Sequence, residues 1–70
     1  MPFNPDILRA VRARKRLSQG ELAKASGVSR GTIINLEKPG ADGKISSLEN
    51  IAKALGVDES VFFSQTSLVN

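Results

Sequence analysis

One stretch of twenty residues, 19–38, constrains the fold of this 70-residue chain more than any other. It predicts two short helices joined by a tight turn at Gly27, because a left-handed backbone at a helix C-terminus is readily adopted only by glycine. Leu22 and Ala23 give the first of these helices an apolar face, and Ser29 is a typical N-cap for the second. The stretch therefore predicts two helices that pack around a shared apolar side.

The second of these helices has an outer face that is small and polar. Ile33 and Leu36 are three residues apart, so they are expected to face inward. The positions left on the outside are Arg30, Gly31, Thr32 and Asn35. Three of these residues have side chains that can form hydrogen bonds, and Gly31 has no side chain. A helix-turn-helix with such a face has the shape that the major groove of DNA accepts.

Capping residues predict helices on both sides of this stretch. Asn4 followed by Pro5 predicts a first helix that runs to about Arg16. The sequence Ser18-x-x-Glu21 is a capping box for the second helix, and the third is expected over about residues 30–38. We therefore expect the helix-turn-helix core at 18–38.

The C-terminal half predicts two further helices. A second capping box, Ser46-x-x-Glu49, precedes an apolar stripe with helical spacing, with Ser47 as the alternative cap, and Gly56 is expected to end that helix. Asp58 is expected to cap a short fifth helix. The predicted fold class is all-α: a compact five-helix single domain over 1–70, with a loose tail at 64–70.

The basic side chains are concentrated beside the helix-turn-helix. Residues 1–38 carry eight basic and three acidic side chains, whereas residues 39–70 carry two basic and four acidic ones. A surface that faces DNA phosphates needs such an excess, although a basic face can also serve only to keep a protein solvated. The motif favours the phosphate-facing interpretation. Lys44, in the loop after the third helix, is either a further phosphate contact or part of a plain connector.

Composition argues against catalysis and against a membrane protein. The chain has no histidine and no cysteine, so it lacks the commonest catalytic base, nucleophile and transition-metal ligands. No apolar run approaches the roughly 18 residues of a membrane span. We expect a cytoplasmic protein that is not an enzyme, with no cofactor and no metal site.

The same residues carry a resemblance to a known family. The pattern Leu17-Ser-Gln-Gly-Glu-Leu-Ala…Gly27-Val-Ser…Ile33…Leu36-Glu37, followed by "LENIAKALGV" from Leu48, resembles the Cro and lambda-repressor type of helix-turn-helix, the XRE family of bacterial and phage regulators. The resemblance covers nearly the whole chain. It implies a lambda-repressor-like fold, binding to double-stranded DNA, and a bacterial or phage origin.

The resemblance also implies roles for single residues. Arg12 and Glu37 match a pair that forms a partly buried salt bridge in this family, and Gln19 matches its phosphate-contacting glutamine. The expected DNA contacts, to base edges or to the phosphate backbone, are Arg16, Gln19, Ser29, Arg30, Gly31, Thr32, Asn35, Lys38 and Lys44. Gly31 departs from the usual long polar side chain, so it either permits close approach to DNA or reads nothing.

Family members commonly bind DNA as homodimers. Five large apolar residues lie within the nine positions 61–69, more than a short last helix can bury alone. We expect a dimer interface at Val61, Phe62, Phe63 and Leu68, the alternative being that Phe62 closes the core while Phe63 and the tail are merely exposed.

The predicted function is that of a sequence-specific transcriptional regulator, in its simplest form a repressor. The same resemblance admits the antitoxin of a toxin–antitoxin pair, whose partner would be a toxin, and a restriction–modification controller. A protein-interaction module that no longer binds DNA is the alternative from another class, and Gly31 is the feature that favours it.

Overall fold

The computed structural model of the protein describes residues 3–63, and the expected tail at 64–70 lies outside them. The described part folds into α1 (Pro5–Arg14), α2 (Gln19–Ser26), α3 (Arg30–Leu36), α4 (Ile45–Leu55) and a 3-10 helix (Glu59–Phe63). No strand occurs in this range. The predicted all-α class is confirmed, with the correction that the fifth helix is a 3-10 helix. Neither α1 nor α3 extends as far as the sequence predicted.

The start of α1 follows its sequence signals, whereas its end does not. Asn4 Oδ1 accepts a hydrogen bond of 3.0 Å from the backbone N–H of Asp6, and Pro5 is the first helical residue. The helix ends at Arg14 because Arg16 adopts a left-handed conformation with φ of 60°. That conformation costs about 1–2 kcal/mol for a side chain other than glycine. The helix prediction to Arg16 was therefore two residues too long.

The helix-turn-helix is fixed by two local devices. Ser18 and Glu21 form both hydrogen bonds of a capping box, with distances of 3.0 and 2.7 Å. The shorter bond, from the Ser18 backbone N–H to the Glu21 carboxylate, lowers the pKa of that carboxyl. Gly27 then ends α2 with φ of 75°, in the left-handed region. Ser29 caps α3 by accepting from the backbone N–H of Thr32 at 3.1 Å. The short turn between the caps sets α3 against α2.

The expected capping box at the start of α4 is wrong. The helix begins at Ile45, Lys44 is the N-cap, and no side chain caps its first turn. Gly43 explains the position, because a Cβ on this residue would lie 2.6 Å from Leu36 Cδ2 and 3.5 Å from Leu48 Cδ2. The chain enters α4 pressed against the core, and this packing outweighs the local preference for a serine cap.

All five helices contribute to one apolar core. Leu8, Leu22, Ile33, Leu48, Ile51 and Leu55 are buried in it. Phe62 is fully buried as well, and its ring lies edge-on to Phe3 with centroids 6.2 Å apart. The backbone N–H of Asn4 donates a hydrogen bond of 2.7 Å to the carbonyl oxygen of Phe62, which joins the two ends of the described chain. None of the described helices has the length and apolar character needed to cross a membrane.

Candidate nucleic-acid interface

The outer face of α3 presents short polar groups to solvent. Arg30, Gly31 and Asn35 are exposed on it. The Ser29 hydroxyl donates to Thr32 Oγ1 at 2.8 Å and also caps the helix, so this pair holds its own geometry before any ligand binds. Gly31 has no neighbour within 4 Å of the place where a Cβ would stand. The centre of this face is therefore open space that no other part of the described protein fills.

Arg30 leans toward the start of α2. A Cβ built on Gly20 would lie 3.9 Å from Arg30 Cδ, which is ordinary van der Waals contact. The aliphatic part of the arginine therefore lies close to the first turn of α2. Its guanidinium can bind either a phosphate or the edge of a guanine, because its planar set of N–H donors fits both.

A cleft of about 300 Å³ lies between α3 and the loop that leads to α4. Thr32 and Asn35 line one side, and Lys44 and Ser47 line the other. The structure thus brings the expected backbone contact Lys44 next to two expected readers of the bases. Asp42 lines the same cleft, and its carboxylate is exposed. A negative side chain at this place opposes the approach of a phosphate.

Behind α3, an ion pair connects three elements. Arg12 Nε donates to Glu37 Oε2 at 2.6 Å, and Arg12 Nη2 donates to Glu37 Oε1 at 3.0 Å. Arg12 Nη1 donates to Leu17 O at 2.7 Å. The Glu37 side chain is 5% exposed and that of Arg12 16%, and the bond to Glu37 raises the pKa of the guanidinium. The pair clamps α1 to the residue that follows α3.

Gln19, the first residue of α2, takes part in the same network. Its Nε2 donates to Glu37 Oε1 at 3.0 Å. An amide has two N–H donors on that nitrogen, so one remains for a ligand after Glu37 has taken the other. The buried carboxylate therefore orients the side chain for which the sequence predicted a phosphate contact.

The remaining expected contacts are exposed at the ends of helices. Arg16 lies in the turn between α1 and α2, and Lys38 lies beyond the end of α3. Neither lines the cleft. Both carry positive charge at the borders of the helix-turn-helix, and their contact with phosphates stays a prediction.

Sequence reasoning missed two features of this surface. The sequence indicated no role in DNA binding for either Asp42 or Ile45. Ile45 is the first residue of α4 and is 56% exposed, an uncommon position for a large apolar side chain. No local signal distinguishes either residue, because both depend on where the loop packs.

The residues that were expected to form a dimer interface differ in how far they are buried. Phe62 is fully buried, so it closes the core and is not available to a partner, as the alternative interpretation held. Val61 and Phe63 are half-buried and pack against the core cluster. Leu68 lies outside the described residues. Within residues 3–63, no three carboxylates are grouped so that they could hold a metal ion.

Comparison with known proteins places this geometry in a family. The HTH_3 family, described as helix-turn-helix, matches residues 8–62. The immunity repressor protein of Bacillus phage phi105 is 29% identical over 62 residues, which are 89% of this chain and 43% of that protein. Antitoxin HigA1 of Mycobacterium tuberculosis is 44% identical over 50 residues, 71% of this chain and 34% of that protein. The chain thus spans less than half the length of these curated relatives.

Solved structures agree. An HTH_3 family transcriptional regulator from Vibrio cholerae has a TM-score of 0.77 at 29% identity, over 84% of this chain and 33% of that one. A mutant of the restriction-modification controller protein C.Esp1396I has a TM-score of 0.74 at 32% identity, over 93% of this chain and 82% of that one.

Proposed function

Because the chain belongs to the HTH_3 family of helix-turn-helix proteins, we propose that it is a sequence-specific DNA-binding regulator of transcription that places α3 in the major groove. The observation that carries the proposal is the exposed polar face of α3 beside the cleft with Lys44. The function is binding alone, without catalysis, cofactor or metal. Its place would be the cytoplasm of a bacterium, on host or phage DNA.

In this proposal, different residues contact the bases and the phosphate backbone. Asn35 can pair with adenine through N6 and N7, and Arg30 can pair with guanine through O6 and N7. Gln19 and Lys44 would hold the phosphate backbone, which fixes the register but carries no sequence information. Ser29 and Thr32 present hydroxyl groups that can reach either a phosphate or a base edge.

We propose that the protein binds DNA as a homodimer. A two-fold dimer presents two copies of α3 about 34–36 Å apart, one turn of the double helix, and would match an inverted repeat. By occupying such an operator it would most simply block polymerase and act as a repressor, and the phage relative is itself named an immunity repressor.

Two of the similar proteins favour a second candidate function, in which the same DNA-binding domain belongs to an antitoxin or to a restriction–modification controller. The 44% identity to antitoxin HigA1 supports an antitoxin that also binds a toxin. The controller protein matches over 82% of its own length, which supports a restriction–modification controller. Co-purification of a second small protein with the chain expressed from its native locus would favour the antitoxin.

The test of the proposal is selection of binding sites from random duplex DNA, followed by titration of the enriched pool at several salt concentrations. We expect an inverted repeat whose half-site centres are about 10 base pairs apart. A steep salt dependence without an enriched sequence would indicate non-specific phosphate binding and contradict sequence recognition. Absence of binding at low salt would favour the protein-interaction module.

A further inference from the structure

Arg16 is the one residue other than glycine that has a left-handed backbone in the part of the chain that the structure describes. Its φ is 60°, whereas Gly27, Gly40 and Gly56 have φ between 72° and 76°. Two of these glycines stand at the C-terminal ends of α2 and α4. Glycine adopts a left-handed backbone readily, whereas a residue with a Cβ does so at a cost. The end of α1 therefore departs from the way in which this chain ends its other helices.

Hydrogen bonds on both sides impose this conformation on Arg16. Its backbone N–H donates to Ala13 O at 3.0 Å, and the N–H of Leu17 donates to Arg12 O at 3.3 Å. These two bonds form a Schellman motif, in which the first residue beyond the C-cap is left-handed and is usually glycine. Arg12 Nη1 also donates to Leu17 O at 2.7 Å, and the same guanidinium is held by Glu37. The turn thus keeps Arg16 in a conformation that arginine does not favour by itself.

No ion pair or hydrogen bond of the Arg16 side chain offsets this cost within residues 3–63. The side chain is exposed. The hydrogen bonds that arginine side chains donate in this range come from Arg9 and Arg12, and both ion pairs use the same two arginines. A strained backbone that the fold imposes on a side chain it does not use is typical of a functional position.

Arg16 stands two residues before Ser18, which is the N-cap of α2, and Gln19 is the first residue of that helix. The Cα atoms of Arg16 and Gln19 are at most about 11 Å apart, because consecutive Cα atoms are about 3.8 Å apart. One amide N–H of Gln19 remains for a ligand after Glu37 has accepted the other. A guanidinium near this amide adds a full positive charge and a planar set of donors that fits a phosphate.

We propose that Arg16 binds the phosphate backbone of DNA at the start of α2, and that arginine stands at this left-handed position although glycine would make the fold more stable. The proposal deepens the proposed function and rests on it, because the ligand is the DNA that α3 reads. The resemblance only suggested a contact at Arg16. The backbone conformation adds a cost in stability that Lys15, with φ of −84°, does not carry.

Three substitutions of Arg16 separate its charge from its backbone. Arg16→Gly removes the charge and relieves the backbone, Arg16→Gln removes only the charge, and Arg16→Lys keeps both features. Arg14→Gln is the matched control, because it removes the same charge from an exposed helical position that lines a different cleft, with Val11 and Val61. Circular dichroism establishes that each variant is folded before DNA is added.

Thermal unfolding without DNA tests the cost of the backbone. We expect Arg16→Gly to raise the melting temperature by about 2–8 °C, because the relief of the backbone exceeds the entropy that glycine adds to the unfolded chain. Arg16→Gln and Arg16→Lys should stay within about 2 °C of the wild type, because they keep a Cβ at this position. If Arg16→Gly melts at the wild-type temperature or below it, the arginine carries no cost and the proposal is overturned.

Fluorescence anisotropy at several salt concentrations, on the selected operator and on a random duplex, tests the phosphate contact. Arg16→Gly and Arg16→Gln should bind both duplexes about three- to tenfold more weakly than the wild type at about 0.1 M salt. The slope of the logarithm of the binding constant against the logarithm of salt concentration should fall by about 0.9 for each bound copy. Arg16→Lys and Arg14→Gln should keep the wild-type slope.

The proposal is overturned if Arg16→Gln binds with the affinity and the slope of the wild type, or if Arg14→Gln loses as much as Arg16→Gln does. A loss confined to the operator would assign Arg16 to a base edge and would also overturn the phosphate contact. Failure of the proposed function is seen in the wild type instead, as equal affinity for the two duplexes, and the contact of Arg16 is then still measured on the random duplex. A wild type that binds neither duplex overturns both.

Discussion

Glu37 is the residue at which fold stability and the proposed DNA contact meet. Its carboxylate accepts from Arg12 and from Gln19, and it is almost completely buried. We predict that Glu37→Ala lowers the free energy of unfolding by about 3–5 kcal/mol, because it leaves the Arg12 charge without its partner. Urea unfolding followed by circular dichroism measures this. An unchanged unfolding midpoint would contradict the structural role of the pair.

Arg9 provides the comparison. Its ion pair with Asp6 has nearly the same length, 2.7 Å, but the side chains are 53% and 76% exposed. Arg9→Ala should therefore cost at most about 1 kcal/mol, since exposed pairs contribute little. A similar loss for both variants would mean that burial does not set the strength of the Glu37 pair.

Asn35 and Gln19 are predicted to differ in what their loss does to specificity. Asn35→Ala should weaken binding to the selected operator by about 1–3 kcal/mol and relax one base position, with little effect on random DNA. Gln19→Ala should weaken binding to both DNAs alike, because a phosphate contact carries no sequence information. Fluorescence anisotropy on the two duplexes distinguishes these results. Equal losses for Asn35→Ala on both duplexes would reject its base-reading role.

Asp42 is predicted to reduce the affinity of the protein for DNA. Its carboxylate lines the same cleft as Lys44, so Asp42→Asn removes repulsion of a phosphate while keeping the size of the side chain. We expect binding to tighten a few-fold on operator and random duplexes at about 0.1 M salt, with the gain fading toward about 1 M as screening increases. Unchanged or weaker binding at low salt would mean that no phosphate approaches this cleft.

At the scale of residues, the sequence predicted which residues lie on the helices better than it predicted the contacts that their side chains make. The pattern around Gly27 placed Gln19 and Asn35 on helices, because caps and apolar spacing act locally. It could not predict that Glu37 holds the Gln19 amide, or that Asp42 shares a cleft with Lys44. These contacts join residues that are distant in sequence or lie in a loop, and only the packed structure brings them together.

At the scale of elements, two glycines are expected to respond in opposite directions. Gly43→Ala places a Cβ within 2.6 Å of Leu36 Cδ2, in a core that has no room, and should destabilise the fold by about 1–3 kcal/mol. Gly31→Ala meets no atom within 4 Å on α3 and should stabilise the fold by about 0.5–1 kcal/mol through higher helix propensity. Thermal unfolding of both variants measures the difference, and a stabilised Gly43→Ala would contradict the packing described for the loop.

Gly31→Ala also separates the two explanations of this glycine. If α3 approaches DNA closely, the added methyl group should weaken operator binding although the protein is more stable. If the position reads nothing, affinity should be unchanged. Stability and affinity are measured on the same preparation, so that a loss of binding is not mistaken for a loss of fold.

The helix boundaries show where local rules were sufficient. Both predicted helix starts at Asn4 and Ser18 were correct, because each cap is satisfied by its own neighbours. The start of α4 was wrong, since Gly43 is held against the core and α4 begins before the serines. The end of α1 was wrong because Arg16 accepts a left-handed conformation that the sequence gives no reason to expect.

At the scale of the whole molecule, the basic side chains do not share one surface. The face of α3 with its cleft carries the groups suited to DNA, whereas Arg14 and Lys15 line a different cleft together with Val11 and Val61. The sequence shows that positive charge is concentrated before residue 39. It could not predict which face Arg14 and Lys15 occupy, because that depends on how α1 meets the 3-10 helix.

Recognition of a DNA sequence by the exposed face of α3 is tested by the ratio of two affinities. The wild-type protein is titrated at one fixed salt concentration with its selected operator and with a duplex of the same length and composition in scrambled order. We predict a preference for the operator of about 10³-fold or more. Equal affinity for the two duplexes would contradict it and leave only phosphate binding.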